Sequence, residues 1–139
     1  MSSMDPRGLD ELLQRASQDK DLLAVIIFGS YARGEDYSDI DICLVMRPGQ
    51  YEEVFFSRKR LDYLSLVGEG LDVQVFQALP IYVRVRVLRD GKIRLCKDEQ
   101  VLYDIAFQTV KEFERFKPMY LEYLEGVSGA GQGEDLGKT

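Results

Sequence analysis

Three aspartates, Asp39, Asp41 and Asp72, are the side chains of this 139-residue chain best suited to chemistry. Asp39 and Asp41 stand one residue apart in a segment that reads as a strand, so both project from one face, about 6 to 7 Å from each other along it. Neighbouring carboxylates in a partly buried strand repel and lose hydration, and a divalent cation removes that penalty. Oxygen ligands of this kind suit magnesium, which takes one or two carboxylates together with waters and substrate phosphates. Asp72 opens another apolar strand, and if that strand pairs beside the first, its carboxylate comes within roughly 5 Å of the same face. Such a cluster can hold two metal ions about 3.5 to 4 Å apart, one activating an attacking hydroxyl and the other binding phosphates and the leaving oxygen. Asp39, Asp41 and Asp72 are thus the expected catalytic residues and the expected metal ligands, with Asp72 on the nucleophile side as proton acceptor.

An anion-binding element precedes them. Gly29-Ser30 falls where an apolar strand gives way to a short helix, and free backbone N–H groups at a helix start can face a phosphate. Gly29 lets the phosphate approach the backbone, Ser30 can donate its hydroxyl, and Arg33, one turn on, can add charge to a triphosphate or point into solvent. Each piece alone has a plainer reading. An isolated Asp-x-Asp is ordinarily a turn or a solvated charge pair, Ser30 alone a helix cap, and Asp72 after Gly70 a loop residue. Their succession along one chain argues for a site.

The elements that must position these residues follow from periodicity. Leu9, Leu12, Leu13 and Ala16 have helical spacing behind Asp5-Pro6, which suits a capped helix ending near Gln18. Leu22 to Phe28 reads as a strand buried on both faces. A short helical turn over Ser30 to Gly34 comes next, then a strand in which Ile40, Ile42, Leu44 and Met46 alternate with Asp41, Cys43 and Val45. Tyr51 to Val67 suits a helix stopped by Gly68, and Leu71 to Phe76 a further strand. Ile81 to Leu88 fits either period, and Pro80 before it favours helix. Lys92 to Cys96 reads as a strand. Asp98 can cap a long helix that Pro118 should kink or restart. The aromatic series Tyr103, Phe107, Phe113, Phe116, Tyr120 and Tyr123 is core by default, although the stretch after Pro118 has little to pack against and is a candidate docking surface. Arg58, Lys59 and Arg60 read most simply as the wet face of a helix. The alternation of strands and helices places the fold in the α/β or α+β class, a short mixed β-sheet flanked by helices.

Composition narrows the function. Length argues for one domain over residues 1–125, with 126–139, rich in glycine, as a flexible tail. A net charge of −6 works against gripping a nucleic-acid template. The absence of histidine removes the commonest general base and zinc ligand. Cys43 and Cys96 lack metal-site spacing and are expected as buried free thiols. No apolar run is long enough to cross a bilayer and no secretory signal opens the chain, so the expected location is the cytoplasm.

The stretch Phe28 to Asp41, reading FGSYARGEDYSDID, resembles the signature of the DNA polymerase beta nucleotidyltransferase superfamily, and within it the minimal nucleotidyltransferases. Leu71 to Phe76, Pro80 to Cys96 and Glu112 to Leu124 are similar to later segments of that group. The resemblance implies a polymerase-beta-like nucleotidyltransferase fold, with Gly29 and Ser30 holding nucleotide phosphates, Asp39 and Asp41 binding two magnesium ions and Asp72 completing the metal site. The eight residues Tyr31 to Ser38 make a shorter connection than the usual minimal member has. The group also implies an antitoxin that moves AMP from Mg-ATP to a tyrosine of a HEPN-domain ribonuclease toxin. Two other functions fit the residues: a non-catalytic antitoxin that occludes its partner, and a small-molecule nucleotidyltransferase completed by a companion subunit.

Overall fold

The apolar run at 22–28 becomes strand β1 (Leu22–Phe28), paired on both edges and apolar on both faces because a core lies against each. The computed structural model describes residues 8–29 and 40–127. Around β1 these form α1 (Leu9–Gln18), β2 (Ile40–Met46), α2 (Glu53–Leu64), β3 (Leu71–Val75), a 3₁₀ turn (Phe76–Ala78), α3 (Ile81–Asp90), β4 (Lys92–Cys96) and α4 (Glu99–Val127). The strand order is β3-β2-β1-β4, with β1 antiparallel to β2 and β4, and β2 parallel to β3. A parallel pair cannot be joined by a tight turn, and α2 supplies the crossover.

Alternation along the strands builds two cores. Val25, Ile27, Ile40, Ile42, Leu44, Val73 and Val75 pack with Leu9, Leu12 and Ala16 of α1 and Tyr63 of α2. On the other face Ile26, Cys43 and Val45 pack with Phe76, Val87 of α3 and Leu102 of α4. Leu23 and Ala24, though consecutive, both enter the second core, because the β1–β2 register shifts between Leu22 and Ala24 and the side-chain alternation slips there. The mixed sheet between two helical layers is the expected fold class.

Several local expectations meet the structure directly. The 81–88 segment is helical, with Ile81 and Val87 buried and Pro80 just ahead of its first turn. Asp98 caps α4, its Oδ1 accepting Val101 N at 3.2 Å. Pro118 does not interrupt α4. Glu114 and Pro118 are both exposed, so water can take the carbonyl that the missing N–H leaves unbonded. α4 continues through Gly126 and Val127, the first residues of the glycine-rich segment. The core assignment of the α4 aromatics is corrected at Tyr103 and Phe107, which are exposed and stacked on each other, while Tyr123, in the stretch after Pro118 expected to have little to pack against, is exposed. α4 outlasts the sheet it covers, and among its described side chains the buried ones are Leu102 and Thr109, in its first half. Cys43 is buried and Cys96 half-buried, and both are free thiols. The Asp5-Pro6 helix start and the turn over Ser30 to Gly34 lie outside the described residues. Among the described residues no helix is long and apolar enough to cross a membrane.

Candidate active site

Strand register brings three separate stretches of chain to one end of the sheet. The Cα partner of Phe28 on β2 is Asp41, and the partner of Asp41 on β3 is Asp72. Adjacent strands lie about 4.8 Å apart and paired residues share a face, so the two carboxylates are neighbours. Alternation fixes which face. Ile40, Ile42, Val73 and Val75 enter the core under α1 and α2, which leaves Asp41 and Asp72 on the side of Cys43, at the open end of the sheet. Asp41, Leu64, Gly70, Leu71 and Asp72 line an open cavity there of about 520 Å³.

Gly29 closes the arrangement from β1. Its φ of +96° lies in the left-handed region, and a Cβ at this position would stand 2.9 Å from Oδ2 of Asp41. Glycine is favoured here by backbone conformation, and a side chain would in addition push the Asp41 carboxylate aside.

Asp72 is held by its surroundings. Its Oδ1 accepts Val73 N at 2.9 Å and Arg60 Nη2 at 3.0 Å, and its Oδ2 accepts Gln74 Nε2 at 2.7 Å. Arg60 also donates from Nε to Val73 O at 2.6 Å. This contact is possible because β3 is an edge strand, whose outward carbonyls have no neighbouring strand. The wet-face reading of Arg60 is therefore corrected, and so is that of Lys59, which bonds Asp19 and Asp21. Cys43, two residues beyond Asp41, is no nucleophile: burial pushes its thiol far up, and the charge of Asp41 pushes it further.

Of the residues expected from sequence, the structure brings Gly29, Asp41 and Asp72 together. Asp39, Ser30 and Arg33 lie outside the described residues. Arg60 and Gln74 were not foreseen. Gln74 could have been found, because it follows Asp72 by two on a strand and shares its face. Arg60 carries no such signal, since its contact depends on strand order.

The pair Asp41 and Asp72 offers hard oxygen donors beside a glycine that keeps the space clear, a donor set that fits an oxygen-seeking divalent cation. Among the described residues no group of three His, Cys, Asp or Glu side chains is placed to hold a metal. The third expected ligand, Asp39, belongs to the undescribed segment.

The family model described as polymerase beta nucleotidyltransferase matches residues 10–100. A candidate protein adenylyltransferase of Methanocaldococcus jannaschii is 31% identical over 74 residues, covering 52% of this chain and 54% of that protein. A second from the same organism is 46% identical over 43 residues, covering 28% and 29%. The chain thus spans about half the length of the first of these curated relatives, and less of the second. Among solved structures, that of a tri-AMPylated Shewanella oneidensis HEPN toxin in complex with MNT antitoxin contains a similar chain. The TM-score is 0.66 at 16% identity, covering 92% of this chain and 99% of that one. A toxin-antitoxin structure with AMP-PNP gives a TM-score of 0.66 at 17% identity, covering 87% and 96%. At these identities the likeness to solved structures is one of fold.

Proposed function

Since this chain belongs to the polymerase beta nucleotidyltransferase family, we propose that it moves AMP from Mg-ATP to a hydroxyl acceptor, a tyrosine of a HEPN-type ribonuclease toxin. The observation that carries this reading is the register of Gly29, Asp41 and Asp72 at one end of the sheet. The complexes named among the fold neighbours support the choice of partner and nucleotide.

In this reading Gly29 and Ser30 hold the triphosphate, and Arg33 adds charge to it. Asp39, Asp41 and Asp72 would hold two magnesium ions, which supply charge neutralisation and polarise the attacking hydroxyl. The acceptor oxygen attacks the α-phosphorus in line, the α–β bridging bond breaks, and pyrophosphate leaves with the bonding electrons. Asp72, on the acceptor side, takes the hydroxyl proton. The protein contributes position and electrostatics, which is what phosphoryl-type transfer chiefly needs. The transferase unit is residues 1–125, acting in the cytoplasm without a nucleic-acid template.

A second reading has its own observation. Tyr103, Phe107, Met119, Leu121 and Tyr123 leave α4 with exposed large apolar side chains, which suits a subunit that neutralises a partner by covering it. One experiment separates the two. The chain is incubated with a HEPN-domain partner, magnesium and α-labelled ATP, and the partner is analysed by mass spectrometry. A tyrosine carrying one or more AMP units is the expected result, and a partner that is inhibited yet unmodified leaves occlusion as the function.

A further inference from the structure

Arg60 and Gln74 both grip the Asp72 carboxylate, and the proposed mechanism uses neither. They grip it differently. Arg60 starts from α2, packed on the opposite face of the sheet from the one Asp72 shares, and reaches the carboxylate around the edge of β3. Its guanidinium spans Val73 O, through Nε at 2.6 Å, and Asp72 Oδ1, through Nη2 at 3.0 Å. A planar fork bonded at once to the main chain and to the side chain fixes the carboxylate in direction as well as in place. Oδ1 receives a further donor, Val73 N at 2.9 Å. Oδ2 receives the amide of Gln74 at 2.7 Å, a neutral donor on a side chain with its own torsional freedom.

We propose that Arg60 is a positioning residue, locking Asp72 through Oδ1 so that Oδ2 is the oxygen offered to a divalent cation, and that the Gln74 amide marks the seat the cation takes. The inference rests on the reading of Asp72 as a metal ligand. A role in stability alone accounts poorly for the contact, because Arg60 and Asp72 are 39% and 41% exposed, and ion pairs so exposed add little to folding. A purely electrostatic role has the wrong sign. A fixed positive charge beside a carboxylate repels an incoming cation, so its removal would tighten metal binding, whereas loss of orientation weakens it.

Arg60→Lys separates charge from geometry, keeping the charge and losing the fork. The full chain, Arg60→Lys and Gln74→Ala are titrated with Mn²⁺ alone and followed by electron paramagnetic resonance, with thermal melting as the check on folding. Arg60→Lys is expected to bind Mn²⁺ about tenfold more weakly, within the range for residues that orient metal ligands, at an unchanged melting temperature. Gln74→Ala is expected to bind at least as tightly as the parent. In the AMP-transfer assay Arg60→Lys should lower kcat by about 10- to 100-fold and leave KM for ATP within about twofold. Full Mn²⁺ affinity in Arg60→Lys, or a greater loss in Gln74→Ala, overturns the proposal, as does a parent chain that binds no Mn²⁺. If Arg60→Lys melts early, Arg60→Gln takes its place, and tighter Mn²⁺ binding there would establish the electrostatic role instead. A parent that binds Mn²⁺ but transfers no AMP refutes the functional reading, while the Mn²⁺ titration still decides the role of Arg60.

Discussion

Both ends of the sheet carry acidic residues, and the two ends are built on different plans. Where β1 begins, Asp19 Oδ2 accepts Lys59 Nζ at 2.8 Å and the Tyr63 hydroxyl at 2.7 Å, while its Oδ1 accepts Asp21 N at 3.0 Å. Lys59 reaches on to Asp21 at 3.3 Å, and Lys97 donates to the Asp19 carbonyl. The Asp19 side chain is 11% exposed. Where β1 stops, Asp72 has a second carboxylate, Asp41, as its register neighbour, and both line an open cavity. Pairing of opposite charges makes the first cluster a fastener, joining the α1–β1 turn to α2 and β4. The second places two like charges side by side and leaves them accessible, with Arg60 and Gln74 holding Asp72, an arrangement that a divalent cation would stabilise further.

This contrast predicts that equal chemical changes at the two ends act on different quantities. The largest effect is expected from Asp41→Asn and Asp72→Asn, which should each cut AMP transfer on the order of 10³-fold, several kcal/mol of transition-state stabilisation. Thermal stability should change little, because Asn at 41 relieves repulsion and Asn at 72 does so while giving up only an exposed ion pair with Arg60. Labelled-ATP transfer and melting curves on the same preparations test this, and a variant with parental transfer removes that carboxylate from the site. Gly29→Ala comes next. The new Cβ would meet Asp41 Oδ2 at 2.9 Å in a left-handed backbone, costing about 1 to 2 kcal/mol of stability. Displacement of the carboxylate should lower transfer about 10²-fold. If stability falls and transfer per folded molecule does not, Gly29 serves the turn and not the site.

How much of this was legible in the sequence depends on the distance over which each feature is decided. β1 and β2 were readable because the apolar run at 22–28 and the alternation at 40–46 are local patterns. The Asp41–Asp72 pairing was conditional on β3 lying beside β2, and the parallel register met that condition. The 81–88 segment fitted both periods, and Pro80 pointed to the helix observed. Arg60 and Lys59 were unreadable, since consecutive basic residues on a half-exposed helix look solvated until topology sets β3 on one side of α2 and Asp19 on the other. The α4 aromatics misled for a related reason. Residue type suggests a core, but helix length against sheet length decides whether one is available.

The smallest expected effect on AMP transfer, that of Asp19→Asn, is also the sharpest test of the contrast, because the substitution should touch folding alone. The amide keeps the shape and loses the charge-assisted bond to Lys59, at a cost of about 1.5 to 3 kcal/mol, with AMP transfer per folded molecule unchanged. Its pH dependence carries a sign. Burial pushes the Asp19 carboxyl upward, but the hydrogen bonds from Lys59, Tyr63 and Asp21 N outweigh it and hold the group below its ordinary 3.8. A lowered folded pKa contributes stability that is complete above the unfolded value and lost as the pH falls through the folded one. Burial draws Lys59 down, yet Asp19 and then Asp21 raise it above its ordinary 10.5. That contribution is complete below 10.5 and lost as the pH rises through the folded value. Urea unfolding of parent and Asp19→Asn should therefore show a constant stability gap between these limits, narrowing below pH 3.8 and again above 10.5. A gap that closes near neutral pH, or a variant that folds well and transfers poorly, would mean that the two ends of the sheet are coupled and the division between fastener and site is wrong.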